Sequence, residues 1–357
     1  MRVVVAPDSF KGTASADVVA AAIAEGWRSV RPEDDLVIVP MADGGEGTVA
    51  AFAAARPSAV LHDVEVEGPE GPARSAWLEL PDGTAVVELA SACGIELWGT
   101  DRPFEAGTHG LGEVIAAALD AGARRLLVGI GGSASTDGGA GMLAALGARI
   151  VDADGDSIGP GNAGLADVAE LDLSTVRPLP ADGVAVLCDV TNPLLGPTGA
   201  AAVFGPQKGA DPDDVPVLEE NLARLAALGT VDPAAPGTGA AGGTGWALLH
   251  WGAVMASGAE AVARELGLAD AVATADVVIT GEGRFDGQTA AGKVAAFVAA
   301  LAPGRTALIA GSVDADASAF LATVDLIDLV GHDRAFEDTA AALVEAGAAL
   351  ASTVSRR

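Results

Sequence analysis

Lysine is rare in this sequence, and each lysine lies next to a glycine. Only three lysines, Lys11, Lys208 and Lys293, occur among 357 residues, whereas the chain uses arginine seventeen times. A compact ammonium group beside glycine backbone is suited to phosphate, because both can approach the phosphate oxygens closely. Glycine is common here, with 47 residues, so chance adjacency is the alternative explanation. We favour a phosphate site, since the sequence uses arginine almost everywhere else.

Five aspartates follow predicted strands in glycine-rich surroundings. In open α/β sheets, ligands bind beyond the carboxyl ends of the strands, where carboxylates can bind Mg²⁺ or accept a proton. A single aspartate at such a position is also typical of a turn or a helix cap. Five of them, together with the lysines, favour a functional site. They are Asp8, Asp43, Asp137, Asp189 and Asp286.

A glycine-rich segment over residues 129–141 lies between a predicted strand and a predicted helix. Its backbone N–H groups and its hydroxyls are typical of phosphate or carboxylate binding. A flexible turn is the alternative, but ordering six glycines costs entropy that a bound ligand would offset. Residues 237–242 match G-x-G-x-x-G, yet they follow a turn and not a strand, which argues against a dinucleotide fold. They remain a candidate backbone site for an anion.

Residues 287–294 fit the pattern G-x-x-x-x-G-K, which is typical of a P-loop. A P-loop needs Ser or Thr after the lysine to bind Mg²⁺, and Val294 occupies that position. Six residues also separate the first glycine from the predicted strand. We therefore reject a P-loop and keep only an ammonium, Lys293, at a helix N-terminus. Arg284 and Asp286, just before this segment, supply a cation and a metal ligand or base.

Asp189 and Asn192 follow another predicted strand, and Lys208 comes soon after them. An Asp and an Asn close together can hold a divalent ion, whereas an Asp alone can accept a hydroxyl proton. Because Asn192 precedes a proline, simple turn formation is the alternative for this residue.

Short buried strands and the helices that follow them must position these loops. Residues 3–6 and 36–39 are predicted strands, and Ser15 is predicted to begin a helix over residues 16–30. Two successive strand–helix units imply parallel strands with right-handed crossovers. Later apolar runs predict three more buried strands of the same character, at residues 277–280, 307–310 and 326–330.

The middle of the chain has a different pattern. Three short segments follow a period of two and are separated by Gly/Pro or Asp-Gly turns, which predicts antiparallel hairpins. They are residues 64–67, 77–80 and 86–89. We therefore predict an α/β fold of two α/β domains. The first is discontinuous, residues 1–60 and 262–357, with a parallel Rossmann-like or flavodoxin-like sheet, and the second, residues 61–261, is inserted with a mixed sheet and hairpins.

Composition excludes several classes of protein. A net charge of −29 and a pI near 4.2 argue against binding nucleic acid or an anionic membrane. No apolar run approaches the roughly 20 residues that span a bilayer, and the N-terminus lacks a leader's apolar core, so we expect a cytoplasmic protein. Cys93 and Cys188 have no CxxC partner and the histidines lack metal-ligand spacing, so no zinc site is indicated. Homo-oligomerisation is left open.

The glycine-rich segments, taken in order, resemble the signature segments of the type 1 glycerate kinase family. The resemblance extends almost from end to end and rests on long motifs, without a departure that alters their chemistry. They are residues 6–12, 42–48, 129–143, 188–196 with 204–210, 239–248 and 279–293. The resemblance implies ATP-dependent, Mg²⁺-dependent phosphorylation of D-glycerate in a cleft between two α/β domains. It also implies 2-phosphoglycerate as the product, with 3-phosphoglycerate as the alternative.

The resemblance, with the chemistry of phosphoryl transfer, predicts a role for each candidate residue. The predicted catalytic residues are Asp189, Lys11, Lys208 and Asp286, with Asp189 also as the metal ligand. The predicted glycerate-binding residues are Asp8, Ser9, Asp43, Asn192 and Arg284. The predicted ATP-binding residues are Gly131, Gly132, Ser133, Asp137, Gly242, Gly243 and Lys293. The alternative functions are a kinase for another small hydroxy acid and a non-catalytic protein that binds a phosphorylated metabolite.

Overall fold

The structure, a computed structural model, describes residues 1–286 and 294–354. Its backbone contacts divide the chain into two compact units. Unit 1 comprises Met1–Asp43, Ala50–Pro57 and the described part of Gly258–Arg357, and unit 2 comprises Gly44–Val49 and Ser58–Ser257. The domain limits expected from the sequence remain a prediction beside these bounds.

The strands of the described residues are β1 (Arg2–Val5), β2 (Asp35–Ile38), β3 (Val60–Gly68), β4 (Gly71–Glu79), β5 (Thr84–Glu88), β6 (Arg125–Gly129), β7 (Arg149–Val151), β8 (Glu170–Asp172), β9 (Val184–Leu187), β10 (Val254–Ala256), β11 (Val277–Phe285), β12 (Thr306–Val313) and β13 (Thr323–Asp325). The α-helices are α1 (Ala16–Val30), α2 (Thr48–Ala55), α3 (Leu89–Cys93), α4 (Ile95–Trp98), α5 (His109–Asp120), α6 (Ala140–Ala145), α7 (Gly161–Gly164), α8 (Ala200–Phe204), α9 (Asp214–Ala227), α10 (Thr244–Trp251), α11 (Gly258–Leu266), α12 (Leu268–Ala273), α13 (Val294–Leu301), α14 (Leu326–Val330), α15 (His332–Glu337) and α16 (Thr339–Thr353). Short 3₁₀ helices lie at Leu165–Asp167, Pro206–Lys208 and Ala240–Gly243.

Unit 1 is built on a parallel sheet that joins the two ends of the chain. Its strand order is β13-β12-β11-β1-β2, and every pairing is parallel. The central strands β1 and β11 are buried because their apolar side chains pack on α1 and α16, with Val5, Ile279 and Leu343 in one core. The predicted parallel strands of the first two strand–helix units are confirmed, and so is the helix α1.

Two predictions about unit 1 were wrong. The apolar run 326–330 is the helix α14, not a strand, because Asp325 accepts a hydrogen bond from the N–H of Asp328 and begins a helical turn. The predicted strand 277–280 is longer than expected, since β11 continues to Phe285 by pairing with β12. Residues 281–285 are therefore strand and not loop.

Unit 2 contains a six-stranded mixed sheet with the order β10-β9-β6-β5-β4-β3. Strands β3, β4 and β5 pair antiparallel, which confirms the predicted hairpins, and β5, β6, β9 and β10 are parallel. The register places Glu88 beside Gly129 and Gly129 beside Leu187. The carboxyl ends of β5, β6 and β9 therefore lie side by side, and the loops that follow them begin at one edge.

A helix of sufficient length and apolarity to cross a membrane is not found within residues 1–286 and 294–354.

Candidate functional site

A pocket of about 470 Å³ lies in unit 1, beyond the carboxyl ends of β1 and β11. This edge is where open α/β sheets bind ligands. The pocket brings together six of the residues that the sequence predicted for the site: Asp8, Ser9, Lys11, Asp43, Arg284 and Asp286.

A tight turn after β1 presents Lys11 to this pocket. Phe10 is buried and anchors the turn, while its N–H donates to the carbonyl of Ala14 and its own carbonyl accepts the N–H and the hydroxyl of Thr13. Lys11 itself is exposed, and its ammonium makes no hydrogen bond or ion pair with another described residue. The positive charge is therefore available to an anion in the pocket.

The carboxyl group of Asp8 is buried at the base of the same pocket. Its Oδ1 accepts the N–H of Ser9 at 2.7 Å. Burial, and then the nearby carboxylate of Asp43, raises the pKa of Asp8 to about 8, while Ser9 and Lys11 act in the opposite direction. A carboxyl group with a pKa near neutrality can exchange a proton with a bound hydroxy acid.

Sequence reasoning missed Glu282, which lines the pocket and is buried. Its charge adds to the increase in the pKa of Asp8. The sequence predicted that the strand ends at Thr280 and that a loop follows it, and in that loop only Arg284 and Asp286 were assigned a role. The signal that could have found it is the pair of glycines flanking Glu282, which lets the strand continue beside the turn of Phe10.

Arg284 and Asp286 lie at the rim of this pocket. The Nε of Arg284 donates to Asp314 at 2.8 Å and lies 3.9 Å from Asp286. Its side chain is 67% exposed, so these ion pairs are worth little in free energy and an anion can compete for the guanidinium. Arg284 is thus shared between two carboxylates at ion-pair distance, whereas Lys11 has no carboxylate at that distance among the described residues.

Lys208, in unit 2, has the opposite environment to Lys11. It is buried, and its ammonium donates to the hydroxyl of Ser133 at 2.8 Å and to the carbonyl of Ser135 at 2.5 Å. Burial lowers the pKa of Lys208 to about 8, and the negative charge of Asp137 acts in the opposite direction. Lys208 therefore fixes the glycine-rich loop between β6 and α6 from inside.

The carboxylate of Asp137 also orders this loop. It is fully buried; Oδ2 accepts the N–H and the hydroxyl of Thr108 and the N–H of Gly141, and Oδ1 accepts the N–H of Gly139. Its oxygens are thus used within the protein, and any contribution to nucleotide binding is through the shape of the loop.

Gly242 and Gly243 pack against the same loop. A Cβ on Gly242, whose φ is +64°, would lie 2.0 Å from the carbonyl oxygen of Ser135, so only glycine fits. In this region two buried hydroxyls, Ser135 Oγ and Thr136 Oγ1, have no hydrogen-bond partner among the described residues. Buried polar groups are nearly always paired, so these two are candidates for contact with a bound ligand.

In unit 2, the segment Gly44–Val49 lies against the ends of β6 and β9. The N–H of Gly131 donates to the carbonyl of Gly44, and a Cβ on Gly44 would lie 2.2 Å from the carbonyl oxygen of Leu187. Glu88, which the sequence also missed, ends β5 and accepts the N–H of Val49 at 3.0 Å. Burial raises the pKa of Glu88, and the N–H groups of this loop partly offset that effect.

The remaining predicted residues occupy separate positions. Gly132 accepts the N–H of Ile95 through its carbonyl. Asp189 is exposed just after β9, and the side-chain N–H of Asn192 donates to the carbonyl of Thr198 at 2.8 Å. Lys293 lies outside the described residues. Within the part of the chain that the structure describes, three or more acidic, histidine or cysteine residues do not gather in a group that could hold a metal ion.

Comparisons with known proteins give the family of the chain. A sequence profile of the glycerate kinase family matches residues 3–356. The chain is 46% identical to "Glycerate kinase" of Bacillus subtilis (strain 168), over 89% of this chain and 87% of that protein. It is 45% identical to "Glycerate 2-kinase" of Escherichia coli (strain K12), over 85% of this chain and 82% of that protein.

A solved structure is similar over almost the whole chain. It is described as a glycerate kinase 2 from Salmonella typhimurium LT2, with a TM-score of 0.84 and 41% identity over 99% of this chain and 98% of that chain. The match supports the mixed α/β architecture. From the profile, the relatives and this structure, it follows that the chain belongs to the glycerate kinase family.

Proposed function

We propose that this glycerate kinase transfers the γ-phosphoryl group of ATP directly, and in line, to the hydroxyl at C2 of D-glycerate. Family membership supports phosphorylation of glycerate, with ATP as the phosphate donor that a kinase uses. The name of the Escherichia coli relative, a glycerate 2-kinase, favours C2. Transfer to C3 remains the alternative.

One observation carries the proposal: the ammonium of Lys11, which is without a hydrogen-bond or ion-pair partner in residues 1–286 and 294–354, faces a pocket that also contains Ser9 and the titratable carboxyl of Asp8. Glycerate is a small acid with one carboxylate and two hydroxyls. A cation can bind its carboxylate, while a serine hydroxyl and carboxylate oxygens can bind its hydroxyl groups. The pocket, about 470 Å³, is within the size range of small-molecule sites, which is roughly 300–1,000 Å³.

The other predicted roles follow the same chemistry. Asp43 and Asn192 would orient the hydroxyls, Arg284 would share in binding the carboxylate, and Asp189 or Asp286 would accept the proton. These residues belong to both units, and the predicted cleft between the domains stays a prediction. Cytoplasmic location also stays a prediction, and homo-oligomerisation stays open.

Magnesium fits the residues present. Mg²⁺ usually keeps several waters and is held by one or two carboxylates together with substrate phosphates, so a three-residue cluster is not required. Asp189 offers an exposed carboxylate after β9 for this purpose. When bound, the ion would neutralise charge on the transferred phosphoryl group.

The test is a coupled assay of ADP release with D-glycerate, L-glycerate and glycolate as separate substrates. We expect turnover with D-glycerate, and NMR of the product should show phosphate on C2. Nucleotide binding without turnover of any of these acids would refute the kinase proposal. Faster turnover of glycolate would instead support a kinase for another hydroxy acid.

A further inference from the structure

A second pocket, of about 460 Å³, lies entirely in unit 2 and has no role in the site described above. Its walls are mainly apolar side chains and glycine backbone, with Ala144, Ala148, Ile150 and Ile158 among them. Walls of this kind accommodate the faces of a flat, weakly polar ring.

The pocket lies at the edge of the sheet where ligands are expected. Strand β3 is antiparallel to β4, which is antiparallel to β5, so β3 runs in the same direction as β5 and β6. Glu67, near the carboxyl end of β3, is part of the pocket, and so are Ala140 and Gly141, the first two residues of α6, which directly follow the glycine-rich loop after β6. The pocket is therefore continuous with the loop predicted to bind phosphate.

The pocket wall is held by buried polar contacts. Asp137 binds both Thr108 and Gly141, which fixes the start of α5 against the start of α6. A Cβ on Gly141 would lie 2.6 Å from the backbone nitrogen of His109, and a Cβ on Gly161 would lie 2.2 Å from the carbonyl oxygen of Phe104. The glycines in this wall are thus required by close backbone packing.

Charges at the rim indicate which part of a ligand the pocket takes. The Nε2 of His109 lies 4.0 Å from Glu67 and 3.8 Å from Glu113, and Arg149 is paired with Glu170 at 2.8 Å. Arg149 already has a carboxylate beside it, and two carboxylates lie beside the ring of His109, so a free phosphate gains little here. A carboxylate at the end of a strand is instead suited to accept hydrogen bonds from hydroxyl groups, as acidic residues accept them from the ribose in dinucleotide-binding folds.

We propose that this pocket binds the nucleoside part of ATP, with the base between the apolar walls and the ribose hydroxyls on Glu67. The proposal rests on the proposed function, since it assigns a position to the donor of that reaction. The phosphates would then follow the glycine-rich loop, where the hydroxyls of Ser135 and Thr136 lack partners among the described residues.

The first test fills the pocket. Ala144→Phe places a large side chain in the wall from an exposed position of α6, so the fold should be retained. We expect ATP, ADP and adenosine to bind this variant at least about 10-fold more weakly than the wild type, by calorimetry without glycerate, because the base loses its space. The matched control is Ala227→Phe, at an exposed alanine of α9 outside the pocket, and its affinities should equal the wild-type values.

The second test does not depend on added bulk. The wild type should bind ATP more tightly than 2′-deoxy-ATP or 3′-deoxy-ATP, and Glu67→Gln should reduce this preference about 10-fold or more, as expected when a hydrogen bond to a charged group is weakened. A merely structural role of Glu67 would change affinity for all three nucleotides alike.

The outcomes separate this inference from the proposed function. Wild-type affinity for ATP in Ala144→Phe, or no nucleotide binding by the wild-type chain at millimolar concentration, would overturn the pocket assignment. Nucleotide binding that responds as predicted, in a protein that phosphorylates none of the tested acids, would support the pocket and refute the kinase proposal.

Discussion

Two of the lysines have opposite environments, although both lie beside glycine. Lys11 is exposed at a pocket without a partner among the described residues, whereas Lys208 is buried and donates two hydrogen bonds within unit 2. A lysine of the first kind can contact a ligand directly, whereas one of the second kind can affect a ligand only through the loop that it positions. Their substitution should therefore give different results.

Lys11→Ala should reduce kcat/KM for glycerate by at least about 100-fold, as expected when a preorganised charge is lost. Because the side chain is exposed and unpaired, the melting temperature should not change. Lys11→Arg should restore little activity. Steady-state kinetics and thermal unfolding measure both effects. Arg28→Ala, at an exposed position of α1, is the control and should have wild-type kinetics.

Lys208→Ala should also lower kcat/KM by at least about 100-fold, because the glycine-rich loop that Lys208 positions would shift, and it should lower stability as well. Removing the ammonium leaves Ser133 and Ser135 without its two hydrogen bonds, which costs about 1–3 kcal/mol. Lys208→Arg should restore little of the lost activity, because the larger guanidinium group would have to fit a buried site. Urea unfolding alongside kinetics tests this, and near-normal kinetics in Lys208→Arg would contradict it.

Asp8→Asn should change the dependence of stability on pH. The pKa of Asp8 is raised from 3.8 to about 8, so between these values the folded chain holds a proton that the unfolded chain releases. The free energy of unfolding therefore falls as pH rises, by at most about 1.4 kcal/mol per pH unit from this group. Asp8→Asn removes the titrating group, so the free energy of unfolding of the variant should rise relative to that of the wild type between pH 4 and pH 9.

Unfolding curves of both proteins at pH 4, 7 and 9 test this expectation. The matched control is Asp270→Asn, an exposed carboxylate on α12, whose difference from the wild type should not grow with pH in the same way. A difference for Asp8→Asn that stays constant across the range would mean that Asp8 is ionised throughout.

At the scale of elements, the loops that meet at the edge of the mixed sheet depend on glycine. Gly242→Ala should destabilise the protein by more than about 2 kcal/mol, since its Cβ would overlap the carbonyl oxygen of Ser135 at 2.0 Å and its φ is positive. Gly183→Ala has a similar φ, +79°, but nothing within 4 Å of the new Cβ, so it isolates the backbone strain, about 1 kcal/mol. Equal losses of stability in the two variants would contradict the close packing.

Contacts between residues close together in the sequence were predictable, whereas contacts between distant residues were not. Ser9 and Lys11 lie in one turn beside a strand, so their common location was predictable. The burial of Lys208 was not, because its partner Ser133 is 75 positions away. The run Leu326–Val330 was predicted as a strand because five residues are too few to distinguish a helical period from that of a strand. The hydrogen bond that the side chain of Asp325 accepts from the N–H of Asp328 instead begins a helix. Glu282 was missed because only pairing with β12 extends β11.

At the scale of the whole molecule, the net charge of −29 repels an anionic substrate. The Debye length falls from about 30 Å at 0.01 M salt to about 8 Å at 0.15 M, so salt screens the distant negative charges while Lys11 still acts at contact. We expect kcat/KM for glycerate to rise over this range of sodium chloride. A decrease would show that local cations dominate the approach of substrate; unfolding curves at each salt concentration are the control.

The sheet of unit 1 joins segments from both ends of the chain. The hydroxyl of Thr280 donates to the carbonyl of Ala6, which lies 274 positions earlier. At about 5–20 residues per second, a ribosome would need roughly 15–50 s to make the intervening chain. During that time β1 lacks its neighbour β11, while most of unit 2 can already fold. The pocket of unit 1 is therefore completed late during synthesis, and a chain truncated before β11 would expose an unpaired strand edge prone to aggregation.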